Sequence, residues 1–101
     1  MQQISVEDRE GACWITLRGE LDQQEVLDLK ARFDQAVQSA SGGVVVDLGE
    51  VTFIGTLGIG LIVSTRTQLD QQGRTVKLAN VPASIETTFE SMSLSEVFDR
   101  V

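Results

Sequence analysis

The sequence contains no histidine, and it has only one cysteine, Cys13. These absences exclude the Ser-His-Asp and Cys-His catalytic sets and the usual zinc-ligand sets. Cys13 cannot form an internal disulfide, and it lies in a strand-like run where a thiol acts as a small hydrophobe. We therefore predict a non-enzymatic protein with no metal and no cofactor, in a reducing, cytoplasmic environment.

Basic residues and long apolar runs are also scarce. Eight Lys and Arg stand against 15 Asp and Glu, giving a net charge of −7, which argues against nucleic acid as a partner. The longest apolar run, residues 59–63, is far short of the ~20 residues that span a bilayer, and the first residues lack the features of a secretion signal. The 101 residues predict a single domain over 1–101 with no direct membrane insertion.

The first part of the chain has the pattern of a β-hairpin. Residues 4–7 and 13–18 alternate at period two, and Glu10-Gly11-Ala12 separates the two runs. Gly19 is expected to close the second strand. Asp22 is a good N-cap for the helix that follows, with Glu25 in the capping-box position.

The remainder alternates between helical and strand patterns. Residues 44–48 indicate a strand buried on both faces, and residues 75–80 another strand. Helices are predicted near 23–40, over 57–71 and from Pro82 in its first turn. Residues 96–101 fit a short strand or a frayed helix. The order β-β-α-β-α-β-α-β predicts an α/β sandwich with a mixed sheet and right-handed crossovers.

The stretch FIGTLGIG at residues 53–60 places three glycines and one hydroxyl among apolar residues. A phosphate-binding P-loop needs Gly-Lys after four spacers, but Leu61 stands where Lys is required. A dinucleotide loop needs the opposite glycine spacing. The stretch therefore matches neither nucleotide loop.

Two other interpretations of this stretch are compatible with each other. In the structural one, Gly55 ends a strand, Thr56 caps a helix, and Gly58 and Gly60 let that helix approach the sheet. In the functional one, the Thr56 hydroxyl is accessible to a partner on an exposed turn. A phosphate there would add about −1.5 to −2 charges beside the positive end of a helix and would act as a switch for binding.

Three segments carry a resemblance to a known family: LRGELD at 17–22, VVVDLGEVTFIGTLGIGLIV at 44–63 and GRTVKLANVPASIETTFESMSLSEVF at 73–98. Together with the order of elements they resemble the STAS domain, which includes the bacterial anti-sigma factor antagonists. The resemblance implies a mixed four- to five-stranded sheet with helices packed mainly on one side. It also shows a departure at Ser93, where the family usually has glycine.

The resemblance further implies a regulatory role. In antagonists of this type, an ATP-dependent kinase of the histidine-kinase-like ATPase superfamily, which is also the anti-sigma factor, phosphorylates a serine, and a phosphatase resets the system. By position, Thr56 matches the phosphoacceptor, Gly55 the preceding acid, Leu57 a second serine, and Gly58 and Gly60 the two glycines of the family pattern. Thr56 retains a hydroxyl that can be phosphorylated, whereas Gly55 lacks the carboxylate.

The expected docking surface comprises the turn, the exposed side of the second helix and the exit of the second strand. Its candidate residues are Glu20, Asp22, Gly55, Thr56, Leu57, Gly58 and Arg66. Asp22 is more readily explained as a helix cap, and a solvated side chain is the default for Arg66. Two alternative functions stay open: a STAS subunit of an ABC-type phospholipid transport complex that docks on its ATPase, or a scaffold subunit of a larger sensory assembly.

Overall fold

The computed structural model describes residues 3–101 as five strands and three helices. In chain order they are β1 Ile4–Arg9, β2 Ala12–Leu21, α1 Gln23–Ser39, β3 Val44–Ile54, α2 Thr56–Gln71, β4 Val76–Ala79, α3 Ala83–Ser91 and β5 Asp99–Arg100. The predicted alternation of strands and helices is confirmed, and the final segment is a short strand.

The strands form one mixed sheet in the order β1-β2-β3-β4-β5. Strand β1 pairs antiparallel with β2, and every later pair is parallel. Each crossover helix connects neighbouring strands in the same direction along the sheet. Because such connections are right-handed, all three helices lie on one face, as the fold prediction required. Within residues 3–101, none of these helices is both long and apolar enough to span a membrane.

The core lies between the sheet and this helical layer. The buried face of α1 consists of Val26, Leu29, Phe33 and Val37, which recur at spacings of three and four and so share one face of the helix. The first three residues of β3, Val44, Val45 and Val46, are all buried. Consecutive valines point to opposite faces of a strand, so the start of β3 is covered on both sides, as its unbroken apolar run predicted.

Cys13 lies beside α1 and is half-buried against the core. Its thiol is 3.9 Å from the carbonyl oxygen of Ala36. Burial raises the pKa of this thiol, and the nearby Asp8 carboxylate raises it further, whereas Arg74 acts in the opposite direction. Cys13 is therefore protonated at neutral pH, in keeping with a packing role.

The two strands before the helices α1 and α2 are longer than predicted. Gly19 does not close β2, which continues to Leu21 with irregular pairing to β3 between Gly19 and Glu20. Gly19 adopts a φ of +82°, which only glycine takes at little cost, and it lies opposite the point where β3 carries one extra residue, Thr52, between Val51 and Phe53. Strand β3 likewise runs on to Ile54, because its second half pairs with the extended end of β2.

Two aspartate side chains accept hydrogen bonds near the carboxyl end of the sheet, where the helices begin. Asp22 caps α1 by accepting from the backbone N–H of Glu25 at 3.1 Å. Asp47 accepts from the N–H of Gly49 at 2.9 Å and from the Asn80 amide at 3.1 Å. Pro82, predicted in the first turn of α3, is its N-cap, with a ψ of 154° that lies outside the helical region.

Helices α2 and α3 end in the same hydrogen-bonded turn. In α2, Gly73 has a φ of +70°, and the N–H of Arg74 returns to the carbonyl of Leu69 at 2.9 Å. In α3, Ser93 takes the equivalent position with a φ of +59°, and the N–H of Leu94 returns to the carbonyl of Phe89 at 2.8 Å. The left-handed position of this turn favours glycine, so Ser93 is strained there.

We predict that Ser93→Gly stabilises the protein by ~0.5–1 kcal/mol, because glycine adopts the left-handed conformation without a Cβ penalty. The melting temperature is expected to rise by several degrees, since 1 kcal/mol corresponds to about 4–8 °C in a domain of this size. The control is Ser91→Gly in the last turn of α3, which is expected to lower the melting temperature. A fall with Ser93→Gly would contradict the strain at this turn.

Candidate functional site

Gly55 forms the turn between β3 and α2. Its N–H donates to the carbonyl of Leu21 at 3.0 Å, and its own carbonyl accepts from the N–H of Ile59 at 3.1 Å. The first bond ties the turn to the end of β2, and the second is the first hydrogen bond of α2. Gly55 therefore occupies the N-cap position, in an extended conformation with a φ of −92°.

The prediction that Thr56 caps α2 is wrong by one residue. Thr56 is the first helical residue, and no side chain caps the helix start. A capping oxygen must stand on the extended residue before the helix to reach the first free N–H groups, and that residue is Gly55. Thr56 is exposed, and the first turn of α2 contains no acidic residue.

The two glycines inside α2 differ in their surroundings. A Cβ on Gly58 would stand 2.9 Å from Cγ1 of Ile54 and 3.4 Å from Cγ2 of Val26. Gly58 thus permits the predicted close approach of the helix to the sheet. Gly60 is exposed, and a Cβ there would meet nothing within 4 Å. The prediction that Gly60 also serves this approach is wrong, because it points away from the sheet.

Exposed apolar side chains surround the turn. Leu57 is 43% exposed, Phe53 50% and Leu27 54%, and these are three of the six large apolar side chains exposed in residues 3–101. The Phe53 ring lies beside Gly55, 3.5 Å from the place of its missing Cβ. Apolar area concentrated on one surface is typical of a contact site for another protein.

A depression of about 450 Å³ opens between the first turns of α1 and α2. Its lining residues are Gln23, Thr56, Leu57 and Gly60. Leu27 lies one turn after Gln23, and residues four apart share a helix face. Thr56 therefore stands at the edge of a concave surface that Leu57 lines on the α2 side, with Leu27 exposed one turn further along α1.

The other predicted site residues lie at different distances from the turn. Glu20 is exposed and pairs with Phe53 in the sheet, so the structure brings it to the turn. Asp22 serves as the cap of α1. Arg66 is ten residues beyond Thr56, about 15 Å along the helix, and pairs with Asp70 at 3.3 Å. The structure does not bring Arg66 to the turn. No three side chains of His, Cys, Asp or Glu within residues 3–101 are grouped to hold a metal ion.

Sequence reasoning missed Phe53 and Leu27. Phe53 continues an apolar run, which is typical of a buried position, but an extra residue in β3 between Val51 and Phe53 turns its side chain outward. This irregular pairing with β2 cannot be recognised from the residues that neighbour Phe53 in the sequence. Leu27 has a signal: it follows the buried Val26 directly and so falls outside the apolar stripe of α1.

The chain matches the model of the STAS domain family over residues 3–101, and it therefore belongs to that family. The fold is similar to that of an anti-sigma factor antagonist (STAS) domain protein from Planctomyces limnophilus, with a TM-score of 0.88 and 24% identity over 96% of this chain and 87% of the other. It is also similar to unphosphorylated SpoIIAA, an anti-sigma factor antagonist, with a TM-score of 0.79 and 21% identity over 97% and 87%.

A third similar structure comes from a different setting. It is a sulfate transporter family protein from Wolinella succinogenes, with a TM-score of 0.72 and 14% identity over 92% of this chain and 80% of the other. Identities this low establish a shared fold. The function must therefore be argued from the site itself.

We predict opposite effects on stability for alanine at the two helix glycines. Gly60→Ala is expected to raise the free energy of unfolding by ~0.5–1 kcal/mol, because alanine is the better helix former and the space is open. Gly58→Ala is expected to lower it, because the new Cβ overlaps Ile54. Urea unfolding of both variants measures the difference, and equal effects would contradict the assigned orientations.

Proposed function

We propose that the chain is an anti-sigma factor antagonist-like module of a partner-switching pathway. In this role it docks, through the turn around Thr56, on an ATPase of the histidine-kinase-like superfamily that acts as kinase and anti-sigma factor. The observation that carries the proposal is the exposed hydroxyl of Thr56 at a helix start without a side-chain cap, with exposed apolar side chains around it.

The proposed contact surface is centred on Gly55, Thr56 and Leu57, with Glu20 at its border. Gly58 lies under this surface and lets α2 pack closely on the sheet. Asp22 caps α1 and so fixes where that helix begins. The partner covers the leucine side chains on either side of Thr56. Burial of such apolar area supplies most of the affinity in protein contacts of this kind.

Phosphorylation of Thr56 would break this contact. The first N–H groups of α2 have no side-chain acceptor, so the helix start accommodates a phosphate in the free protein. In the complex the same phosphate would stand between apolar surfaces, where an ionised group loses its hydration. The modification therefore changes binding and leaves the fold intact, and a phosphatase would restore docking.

The glycine at position 55 is compatible with this switch. An added Cβ would lie 3.5 Å from the Phe53 ring and 3.6 Å from the Leu21 carbonyl, which are ordinary contacts. The φ of −92° suits any residue. The backbone therefore does not require glycine at this position, and the absence of the acid leaves the hydroxyl of Thr56 without a neighbouring carboxylate from its own turn.

One observation favours the alternative of an ABC-type transport subunit. Leu57 replaces the second serine of the antagonist pattern and is 43% exposed. An apolar side chain there favours docking that is independent of phosphorylation. In that case Thr56 would belong to a permanent contact with an ABC ATPase.

The first test is titration calorimetry of the purified chain against purified ATPases of both classes from the same source. We expect binding to the histidine-kinase-like ATPase, and Thr56→Glu is expected to weaken it about a hundredfold, since burying an unpaired charge in an interface costs several kcal/mol. Thr56→Ser, which keeps the hydroxyl, serves as the control and is expected to bind as wild type does. Binding to the ABC ATPase alone would favour the transport alternative.

The second test is phosphorylation by that ATPase in the presence of ATP. Intact-mass spectrometry is expected to show one added phosphate on the wild type and on Thr56→Ser, and none on Thr56→Ala. Circular dichroism of the phosphorylated chain is expected to match that of the unmodified chain. A phosphate found on another residue would contradict the assignment of Thr56.

A further inference from the structure

We infer that Gly60 keeps open a docking groove between the first turns of α1 and α2, and that its occupant is a partner segment with an apolar anchor flanked by Lys or Arg. The groove is lined by Gln23, Thr56, Leu57 and Gly60, and Leu27 follows Gln23 by one turn on the same face of α1. This inference deepens the proposed function, on which it rests for the identity of the site, by naming the chemistry of the partner.

Gly60 is the first observation. Apart from proline, glycine is the residue that most destabilises a helix interior, yet Gly60 stands in the second turn of α2 with no steric reason for its presence. Gly58 has such a reason in its contact with Ile54. The exposed face of Gly60 lines the depression beside Thr56. A side chain at this position would project into the groove.

The walls of the groove are the second observation. Leu57 from α2 and Leu27 from α1 are both about half exposed, and the depression between the helices measures about 450 Å³. Both helices begin at the carboxyl end of the sheet, and the depression opens between their first turns. A concave surface lined by Leu57, the Gln23 amide and one hydroxyl suits a single apolar side chain of a partner, such as leucine or methionine.

The charged residues near the groove indicate which residues flank the apolar anchor of the partner segment. Residues 19–29 and 49–65 contain no Lys or Arg, whereas the strand exit and first turns of α1 carry four acidic residues, Glu20, Asp22, Glu25 and Asp28. The next basic residue along α1, Lys30, is paired with Asp34 at 2.6 Å. The segments that form the groove therefore carry negative charge and no cation, which complements a basic apolar segment.

The test uses two amphipathic peptides of about 14 residues as probes, one of Leu and Lys and one of Leu and Glu with the same spacing. Each is titrated into the 15N-labelled chain. We expect the Lys peptide to shift the amide signals of the groove residues and to bind at least tenfold more tightly than the Glu peptide, with an affinity that falls as salt is added.

The decisive variant is Gly60→Gln, which fills the groove with a polar side chain and improves helix propensity. It is expected to weaken binding of the Lys peptide about tenfold while raising the melting temperature. The control is Thr67→Gln, an exposed α2 position outside the groove, which is expected to leave binding unchanged. A purely structural role for Gly60 would alter stability alone.

Three results would overturn the inference: equal affinity for both peptides, shifts located away from the groove, or unchanged affinity in Gly60→Gln. These outcomes are separable from the fate of the proposed function. If the Lys peptide occupies the groove but no histidine-kinase-like ATPase binds the chain, the inference about the groove is supported and the proposed antagonist role is wrong. If that ATPase binds wild type and Gly60→Gln equally, the proposed antagonist role is supported and the inference about the groove is wrong.

Discussion

The close contact between Gly58 and Ile54 determines how the first turn of α2 is placed on the sheet. With no Cβ at Gly58, helix α2 lies directly on the last residue of β3, and Val26 of α1 closes the same gap. The hydrogen bond from Gly55 to Leu21 then ties this turn to β2. Because these two contacts fix the first turn of α2, the Thr56 hydroxyl has a defined position on an otherwise irregular surface.

The opposite end of the sheet is occupied by structural contacts. Arg74 donates to the carbonyl of Gly42 at 2.8 Å and to that of Val37 at 3.2 Å, and so stabilises the end of α1, which has no basic residue in its own last turn. The turns at Gly73 and Ser93 close α2 and α3 at this end. The polar contacts that close the C-terminal ends of the helices thus lie far from Thr56.

The surface around Thr56 combines features that do not contribute to the stability of the folded chain. Leu27, Phe53 and Leu57 are about half exposed, and Gly60 weakens the helix that carries the turn. Each of these lowers stability or solubility slightly, and together they surround one hydroxyl. The same surface has acidic residues nearby and no basic ones in residues 19–29 and 49–65. In the proposed role, the negative charge of these segments favours a basic protein partner over unspecific association.

The sequence by itself determined the order of elements, the buried stripe of α1, the cap at Asp22 and the candidate hydroxyl of Thr56, because period, capping chemistry and glycine turns are local properties. Only the tertiary structure decided the length of β2 and β3, since strand pairing carried them past Gly19 and Leu48. It also decided that Gly58 packs inward while Gly60 opens outward, and that Phe53 is exposed. These outcomes depend on which face of an element meets its neighbour, and that depends on contacts between residues far apart in the chain.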